Sequence, residues 1–129
     1  MPLDTDEMPE GVIRRPDQPS HYMAIKPVPR TVRIYLGERL LVRSTRALRV
    51  METGKQVYDP MIYVPVEDIW APLDLIDKST HCPLKGDASY FGLDGEELAW
   101  GYDAAFDFAA ALIGHRAFWP DKVRVVEGD

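Results

Sequence analysis

Apolar and polar residues alternate with a period of two along much of the chain. In "TVRIYLGERLLVRS", Val32, Ile34 and Leu36 alternate with Arg33 and Tyr35, which is the spacing of a strand with one buried face. The dipeptide "GE" that follows Leu36 predicts a turn. The segment therefore predicts two consecutive strands that form a hairpin.

The same period recurs in later segments. "ALRVME" places Leu48 and Val50 on one face and Arg49 on the other, and "VYDPMIYVP" predicts a further strand. Pro60 interrupts that strand and indicates an edge or a bulge, since proline cannot donate a backbone hydrogen bond. "DASYFGL" and "ELAWGY" flank "DGEE", in which Asp-Gly is a strong hairpin signal. "RAFW" and "KVRVVE" predict the last strands.

Helical signals are few. "VEDIWAPLDLID" has too many breaks for a long helix, although residues 67–70 have room for one turn. "DAAFDFAAALIGH" predicts one helix from Ala104 to Ile113, because alanine and leucine favour helix and Gly114 stands at the position of a C-terminal cap.

About eight short strands and one short helix follow from these patterns. The strands come as consecutive hairpins, without the strand-helix alternation of a parallel sheet. The predicted fold class is mainly β: a single-domain curved antiparallel sheet or partial barrel with one short helix.

The N-terminal segment differs in composition. Residues 1–29 hold six of the eleven prolines. Because proline fixes φ and removes a donor, we expect residues 1–29 to form an extended, proline-rich arm without helix or central strand. The β domain is then expected to span residues 30–127.

Composition indicates a globular protein with one core, since 46% of the 129 residues are hydrophobic and 28% are charged. The net charge of −6 hides a basic stretch: residues 14–55 carry +7 and residues 56–129 carry −9. Because the chain is acidic overall and nucleic acids are polyanions, we do not expect a nucleic acid as a partner.

A single cysteine fits a reducing compartment. With no signal peptide and no apolar run of membrane-spanning length, we expect a cytoplasmic protein with no membrane contact.

One segment carries candidate chemistry. "THCPLKGDASYF" contains the only cysteine, Cys82, with His81 before it and Lys85 after it. A nearby cation lowers the pKa of a thiol, so Cys82 and Lys85 are the candidate catalytic residues. Pro83 and Gly86 would fix the turn between the two side chains. The alternative is that Cys82 is a small buried residue and the segment is only a tight turn.

The segments "STRALRVMETG", "IYVPVEDI", "THCPLKGDASYF", "LAWGY" and "GHRAFWPDKVRV" occur in this order. Together they resemble a small bacterial family of unknown function, numbered 427, over residues 30–127. The resemblance implies an Mss4-like β architecture. The family is sometimes labelled nucleotidyltransferase-like, but it has no established activity, so the resemblance leaves the function open.

A ligand pocket is expected near Lys85. Tyr63, Tyr90 and Trp100 would wall it and Glu52 would anchor it. Since a buried ammonium needs an anionic partner, Asp68, Asp87 and Glu52 are the candidates for that partner. Asp68 is therefore included among the ligand-binding residues. The alternative is a buried network of tyrosine hydroxyls.

Metal and cofactor signals are absent from the sequence. It has no CxxC, no HxxxH, no Gly-Ser dipeptide and no phosphate-binding glycine loop, so we expect no metal and no cofactor. The predicted function is a small-molecule-binding protein or enzyme with a pocket around Cys82 and Lys85. The alternative is a non-catalytic interaction module or homodimer that acts through a sheet edge or the N-terminal arm.

Overall fold

The computed structural model describes residues 11–128, which form two antiparallel sheets. The larger sheet has the strand order β1-β2-β5-β6-β10-β9-β8-β7, and the smaller has the order β11-β3-β4. The strands are β1 Val12–Arg14, β2 Tyr22–Pro27, β3 Val32–Leu36, β4 Arg39–Ser44, β5 Leu48–Thr53, β6 Met61–Pro65, β7 Asp74–Cys82, β8 Gly86–Leu93, β9 Glu96–Ala105, β10 His115–Phe118 and β11 Arg124–Glu127. The large sheet is not closed into a barrel.

Local turn chemistry explains the predicted hairpins. The β8–β9 hairpin closes at Asp94-Gly95, and both residues have positive φ, 53° and 84°. This is the backbone that Asp-Gly favours in a two-residue hairpin turn. The β3–β4 hairpin likewise turns at Gly37, with φ 60°. The mainly β fold and both hairpins are confirmed.

The N-terminal segment is more ordered than its prolines predict. β2 lies between β1 and β5, so it is an interior strand of the large sheet. The prediction that this segment forms no central strand is therefore wrong for residues 11–29, while the rest of the predicted arm, residues 1–10, lies outside the described residues. The reason is positional: Pro16 and Pro19 precede β2 and Pro27 ends it, so no proline interrupts its pairing with β5.

The predicted helix is shorter and of a different type. β9 continues through Ala105, because Ala104 and Ala105 pair with Asp87 and Gly86 of β8. Only Asp107–Leu112 is helical, and it is a 3-10 helix. Ladder hydrogen bonds to β8 thus override the helix propensity of the alanines. A second 3-10 turn covers Val66–Asp68.

The nine-residue strand β7 does not follow from the broken pattern of "PLDLID". Among the described residues it forms one edge of the large sheet and pairs only with β8. Most of its side chains are exposed, so it lacks the alternation that makes a half-buried strand visible in a sequence.

The buried residues form two clusters. The first contains Val32, Ile34, Leu41 and Val42 of the small sheet and packs them against residues of the large sheet such as Val64. The second packs the large sheet against the 3-10 helix and the β7–β8 turn and is rich in aromatic rings; it includes Met23, Tyr63, Leu84, Tyr90, Trp100, Tyr102 and Leu112. Burial of each large apolar side chain contributes about 2 kcal/mol. The second cluster forms the walls of the site described next.

Candidate functional site

Strand register sets the base of a cavity in the large sheet. Tyr63 of β6 lies opposite Ala117 of β10, Ala117 lies opposite Trp100 of β9, and Trp100 lies opposite Tyr90 of β8. Directly opposed residues share a face of the sheet, so these four side chains form one row across four strands. Ala117 has the only small side chain in the row. Ala117 is fully buried, and the Tyr63 and Trp100 rings on either side of it contact each other.

The three rings of this row, those of Tyr63, Trp100 and Tyr90, line a cavity of about 250 Å³. We call it the aromatic cavity, because six of its lining residues carry aromatic rings: Tyr58, Tyr63, Tyr90, Trp100, Tyr102 and Trp119. Val50 and Met61 add apolar surface, and Glu52, Asp59 and Lys85 add charge. Its composition is that of small-molecule sites, which are mainly apolar with a few placed polar groups.

Ring contacts hold the aromatic walls in place. Trp100 stands edge-on to Tyr63 with ring centroids 6.5 Å apart, and its Nε1 donates a 3.2 Å hydrogen bond to the Tyr63 hydroxyl. The rings of Trp100 and Trp119 are 4.3 Å apart, and Tyr102 lies 6.5 Å from Tyr63. Burial raises the pKa of Tyr63 and of Tyr102 well above the ordinary value. Both hydroxyls are therefore neutral donors at physiological pH.

A buried ion pair forms the polar end of the cavity. Lys85 is 6% exposed, and its Nζ donates a hydrogen bond to Oε1 of Glu52. Oε2 of Glu52 lies 2.7 Å from Nε2 of His21. Since an ionised carboxylate only accepts hydrogen bonds, Nε2 is the donor. Burial by itself would raise the pKa of Glu52, but attraction to Lys85 and the hydrogen bonds from Lys85 and His21 outweigh it and lower that pKa.

The segment around Lys85 is a hairpin turn between β7 and β8. Cys82 pairs with Gly86 across it. Gly86 has φ 116°, and a Cβ atom there would lie 2.6 Å from the carbonyl oxygen of Ala104, so only glycine fits. Leu84 is fully buried beneath the turn, and the carbonyl of Lys85 accepts a hydrogen bond from the amide of Phe106 at 3.0 Å. The turn is thus a structural element that also directs Lys85 inward.

Cys82 lies on a second cavity, of about 400 Å³. We call it the thiol cavity. It shares Glu52 and Tyr58 with the aromatic cavity, and its other lining residues come largely from the N-terminal segment, the β5–β6 loop and the end of β7: Arg15, Gln18, His21, Gly54, Lys55, His81, Cys82 and Pro83. The Cys82 thiol is free and half-buried. Cys82 and Lys85 therefore line neighbouring cavities that meet at Glu52.

Five of the predicted site residues meet around the aromatic cavity: Glu52, Tyr63, Lys85, Tyr90 and Trp100. Asp68 does not, and its expected place in the pocket is wrong. It follows β6 in the Val66–Asp68 turn and accepts hydrogen bonds from Ser44 Oγ at 2.6 Å and from Arg46 Nη2 at 3.0 Å. Burial alone would raise the pKa of Asp68, but these two hydrogen bonds lower it. The third candidate partner of Lys85, Asp87, instead pairs with His81.

Sequence reasoning missed seven residues of the arrangement: Val50, Tyr58, Asp59, Met61, Tyr102, Trp119 and His21. Tyr102 had a usable signal, because it follows Trp100 by two positions on one strand and so shares its face. Trp119 and Asp59 lie just beyond strand ends, where the alternation of a strand no longer predicts which way a side chain points. His21 has no signal in the sequence, because it precedes β2, a strand that the neighbouring prolines argue against. The His21 ring packs against Gly54, where a Cβ would lie 3.1 Å from Cδ2 of His21.

Within residues 11–128, no group of three or more His, Cys, Asp or Glu side chains is placed to hold a metal ion. No helix in this part of the chain is long and apolar enough to cross a membrane.

Comparison with known proteins identifies the family. The family model described as a domain of unknown function, DUF427, matches residues 24–129. The chain therefore belongs to the DUF427 family. The match begins within β2, which agrees with the place of that strand inside the large sheet. No curated protein matches the chain.

Proposed function

We propose that this DUF427 protein binds a small molecule that has a flat, apolar or aromatic body, and that the molecule enters the aromatic cavity. The observation that carries the proposal is the arrangement of six aromatic rings and one buried ion pair around a single concave space. Rigid rings bind a flat ligand at low entropic cost, because few of their torsions are lost on binding.

The size of the cavity supports a small ligand. Its volume of about 250 Å³ is below the range of roughly 300–1,000 Å³ that is usual for drug-sized ligands. A ligand with one ring and one polar group is the appropriate class. Its ring would contact Trp100, Tyr102 and Tyr63, and its polar group would reach Lys85.

The proposal assigns Lys85 to ligand anchoring. Catalysis by Cys82 and Lys85 together stays a prediction, and it has less support than binding, since the two residues line different cavities. A nucleophile and its activating group need to lie within hydrogen-bond reach, and among the described residues Cys82 has no such side-chain partner.

Tryptophan fluorescence tests the proposal. Trp100 and Trp119 line the cavity, whereas Trp70 is 62% exposed and does not line it. In a Trp70→Phe background the emission therefore reports on the cavity. A library of one-ring fragments is titrated against this protein, and we expect saturable changes in emission for some fragments.

Two matched variants locate the binding. Asp59→Phe adds bulk at an exposed position of the cavity lining and should abolish the saturable change. Glu38→Phe makes the same kind of exchange at an exposed position in the β3–β4 turn and should leave it intact. A library with no saturable binder, or binding that Asp59→Phe does not weaken, would contradict the proposal.

A second candidate function is self-association through β7. Within residues 11–128 no strand pairs with the outer edge of β7, and Leu75 on this strand is 71% exposed. Pairing of two β7 edges would continue the sheet across a dimer. Light scattering after gel filtration should then give a dimer that Leu75→Lys dissociates. The control, Val57→Lys, alters a residue that is 80% exposed but lies outside the strands. A monomer at high concentration would exclude this candidate.

A further inference from the structure

We infer that the ligand of the aromatic cavity carries a hydrogen-bond-accepting, anionic group of the carboxylate type. This inference rests on the proposed function and adds the chemical class of the ligand. The basis is that several hydrogen-bond donors of the cavity have no protein partner, whereas the Glu52 carboxylate accepts hydrogen bonds on both oxygens.

Tyr102 supplies the first unused donor. The residue is 8% exposed and lines the cavity. Its hydroxyl makes no hydrogen bond within residues 11–128. The hydroxyl oxygen nevertheless retains some solvent-accessible surface. A hydroxyl that is accessible and has no protein partner is free to donate to water or to a ligand in the cavity. A ligand acceptor beside Tyr102 would take the place of that water.

Two neighbouring groups also have hydrogen-bond donors that no protein acceptor uses. The Tyr63 hydroxyl accepts from Trp100 Nε1, which leaves its own proton to donate. The Lys85 ammonium has three N–H groups, and its one hydrogen-bond acceptor among the described residues is Glu52. Tyr102, Tyr63 and Lys85 all line the aromatic cavity. They supply donors at its polar end, one of which carries a positive charge.

Glu52, the partly buried carboxylate of the cavity, is already engaged. Both oxygens of Glu52 accept hydrogen bonds, one from Lys85 and the other from His21. Asp59 is the second carboxylate of the lining, and it is exposed, so water screens its charge. A cationic ligand would find aromatic faces, which attract cations, but it would also meet the buried charge of Lys85. An anionic acceptor meets unused donors instead, and charge-assisted hydrogen bonds are the stronger kind.

Three probes with the same ring separate the ligand classes: benzoate, benzyl alcohol and benzylamine, which is protonated at neutral pH. Each is titrated against the Trp70→Phe protein. We expect benzoate to bind at least about tenfold more tightly than benzylamine, which corresponds to one charge-assisted hydrogen bond, with benzyl alcohol between them.

The Tyr102→Phe variant removes only the unused hydroxyl. It should weaken benzoate binding by up to about tenfold and weaken benzylamine binding by a smaller factor. Tyr35→Phe removes a hydroxyl on the small sheet, where it accepts a hydrogen bond from Arg33, and should leave all three affinities unchanged. Circular dichroism confirms that both variants are folded.

The outcomes separate this inference from the proposed function. Benzylamine binding as tightly as benzoate, or benzoate binding that Tyr102→Phe does not weaken, would overturn the ligand class and leave the binding cavity in place. Binding of none of the three probes, while other fragments bind and are blocked by Asp59→Phe, would also overturn the class alone. No binding by any fragment would overturn both.

Discussion

The two cavities on either side of Glu52 share a carboxylate but differ in the elements that build them. The aromatic cavity is lined by strands inside the large sheet, and four of its rings, those of Tyr63, Tyr90, Trp100 and Tyr102, are at most 9% exposed. The thiol cavity is lined largely by loops and strand ends, and the side chain of His81 on its wall is 61% exposed. The first is preorganised by the packing of its rings, and the second is bounded mainly by loops and strand ends.

The difference shows how one carboxylate can serve two environments. On the aromatic side, Glu52 neutralises the buried Lys85, which would otherwise be a costly unpaired charge. On the thiol side it fixes the donor nitrogen of His21. Loss of Glu52 should therefore disturb both cavities, whereas changes at Cys82 should affect one. The following predictions test this asymmetry.

The largest effect is expected from Glu52→Leu. Removal of the carboxylate leaves the Lys85 ammonium buried without a counter-charge, and we expect a loss of about 4 kcal/mol in the free energy of unfolding, measured by urea denaturation. The double variant Glu52→Leu, Lys85→Met should recover a large part of that loss, because the charge itself is gone. A double variant no more stable than Glu52→Leu would show that the pair does not account for the loss.

Gly86→Ala should have the next largest effect. The substitution puts a Cβ 2.6 Å from the Ala104 carbonyl oxygen at a φ of 116°, and the combined clash and backbone strain should cost about 3 kcal/mol. Gly95→Ala is the matched control: φ there is 84°, but nothing lies within 4 Å of the added Cβ. It should cost about 1 kcal/mol. Equal losses in thermal or urea unfolding would mean that close packing at the turn is unimportant.

A pH dependence follows from the lowered pKa of Glu52. Because the folded-state value lies below the ordinary value of 4.5, ionised Glu52 stabilises the fold fully above pH 4.5. This contribution is lost as the pH falls through the folded-state value. The difference in free energy of unfolding between wild type and Glu52→Leu should therefore shrink on acidification below pH 4.5. Other titrating carboxylates are present in both proteins and cancel. A difference that stays constant in acid would show that the charge of Glu52 is not what stabilises the fold.

The smallest effect is expected at Cys82. Its half-buried thiol lines the thiol cavity, so a thiol reagent should modify it in the native protein. Saturating benzoate should leave the rate of modification unchanged, because the probe occupies the neighbouring cavity. Cys82→Ser should likewise leave benzoate affinity unchanged. Protection of the thiol by benzoate would instead show that the two cavities act as one site, as the sequence had predicted for Cys82 and Lys85.

The sequence by itself determined the elements whose signals are local. Alternation identified β3, β5, β8 and β9, and the Asp94-Gly95 turn fixed one hairpin, because side-chain period and turn chemistry act over a few residues. It also grouped Glu52, Tyr63, Lys85, Tyr90 and Trp100 in one expected pocket, but it added Cys82 and Asp68, which do not line the aromatic cavity.

Tertiary structure decided what depends on partners distant in sequence. Pairing with β5 made an interior strand of a segment flanked by prolines, and pairing with β8 turned Ala104 and Ala105 from helix to strand. Contacts between residues distant in sequence also bring His21 to Glu52 and hold Asp68 at Ser44 and Arg46. Backbone hydrogen bonds in a ladder and the neutralisation of a buried charge outweigh local propensity, because each requires a partner that only the folded chain supplies.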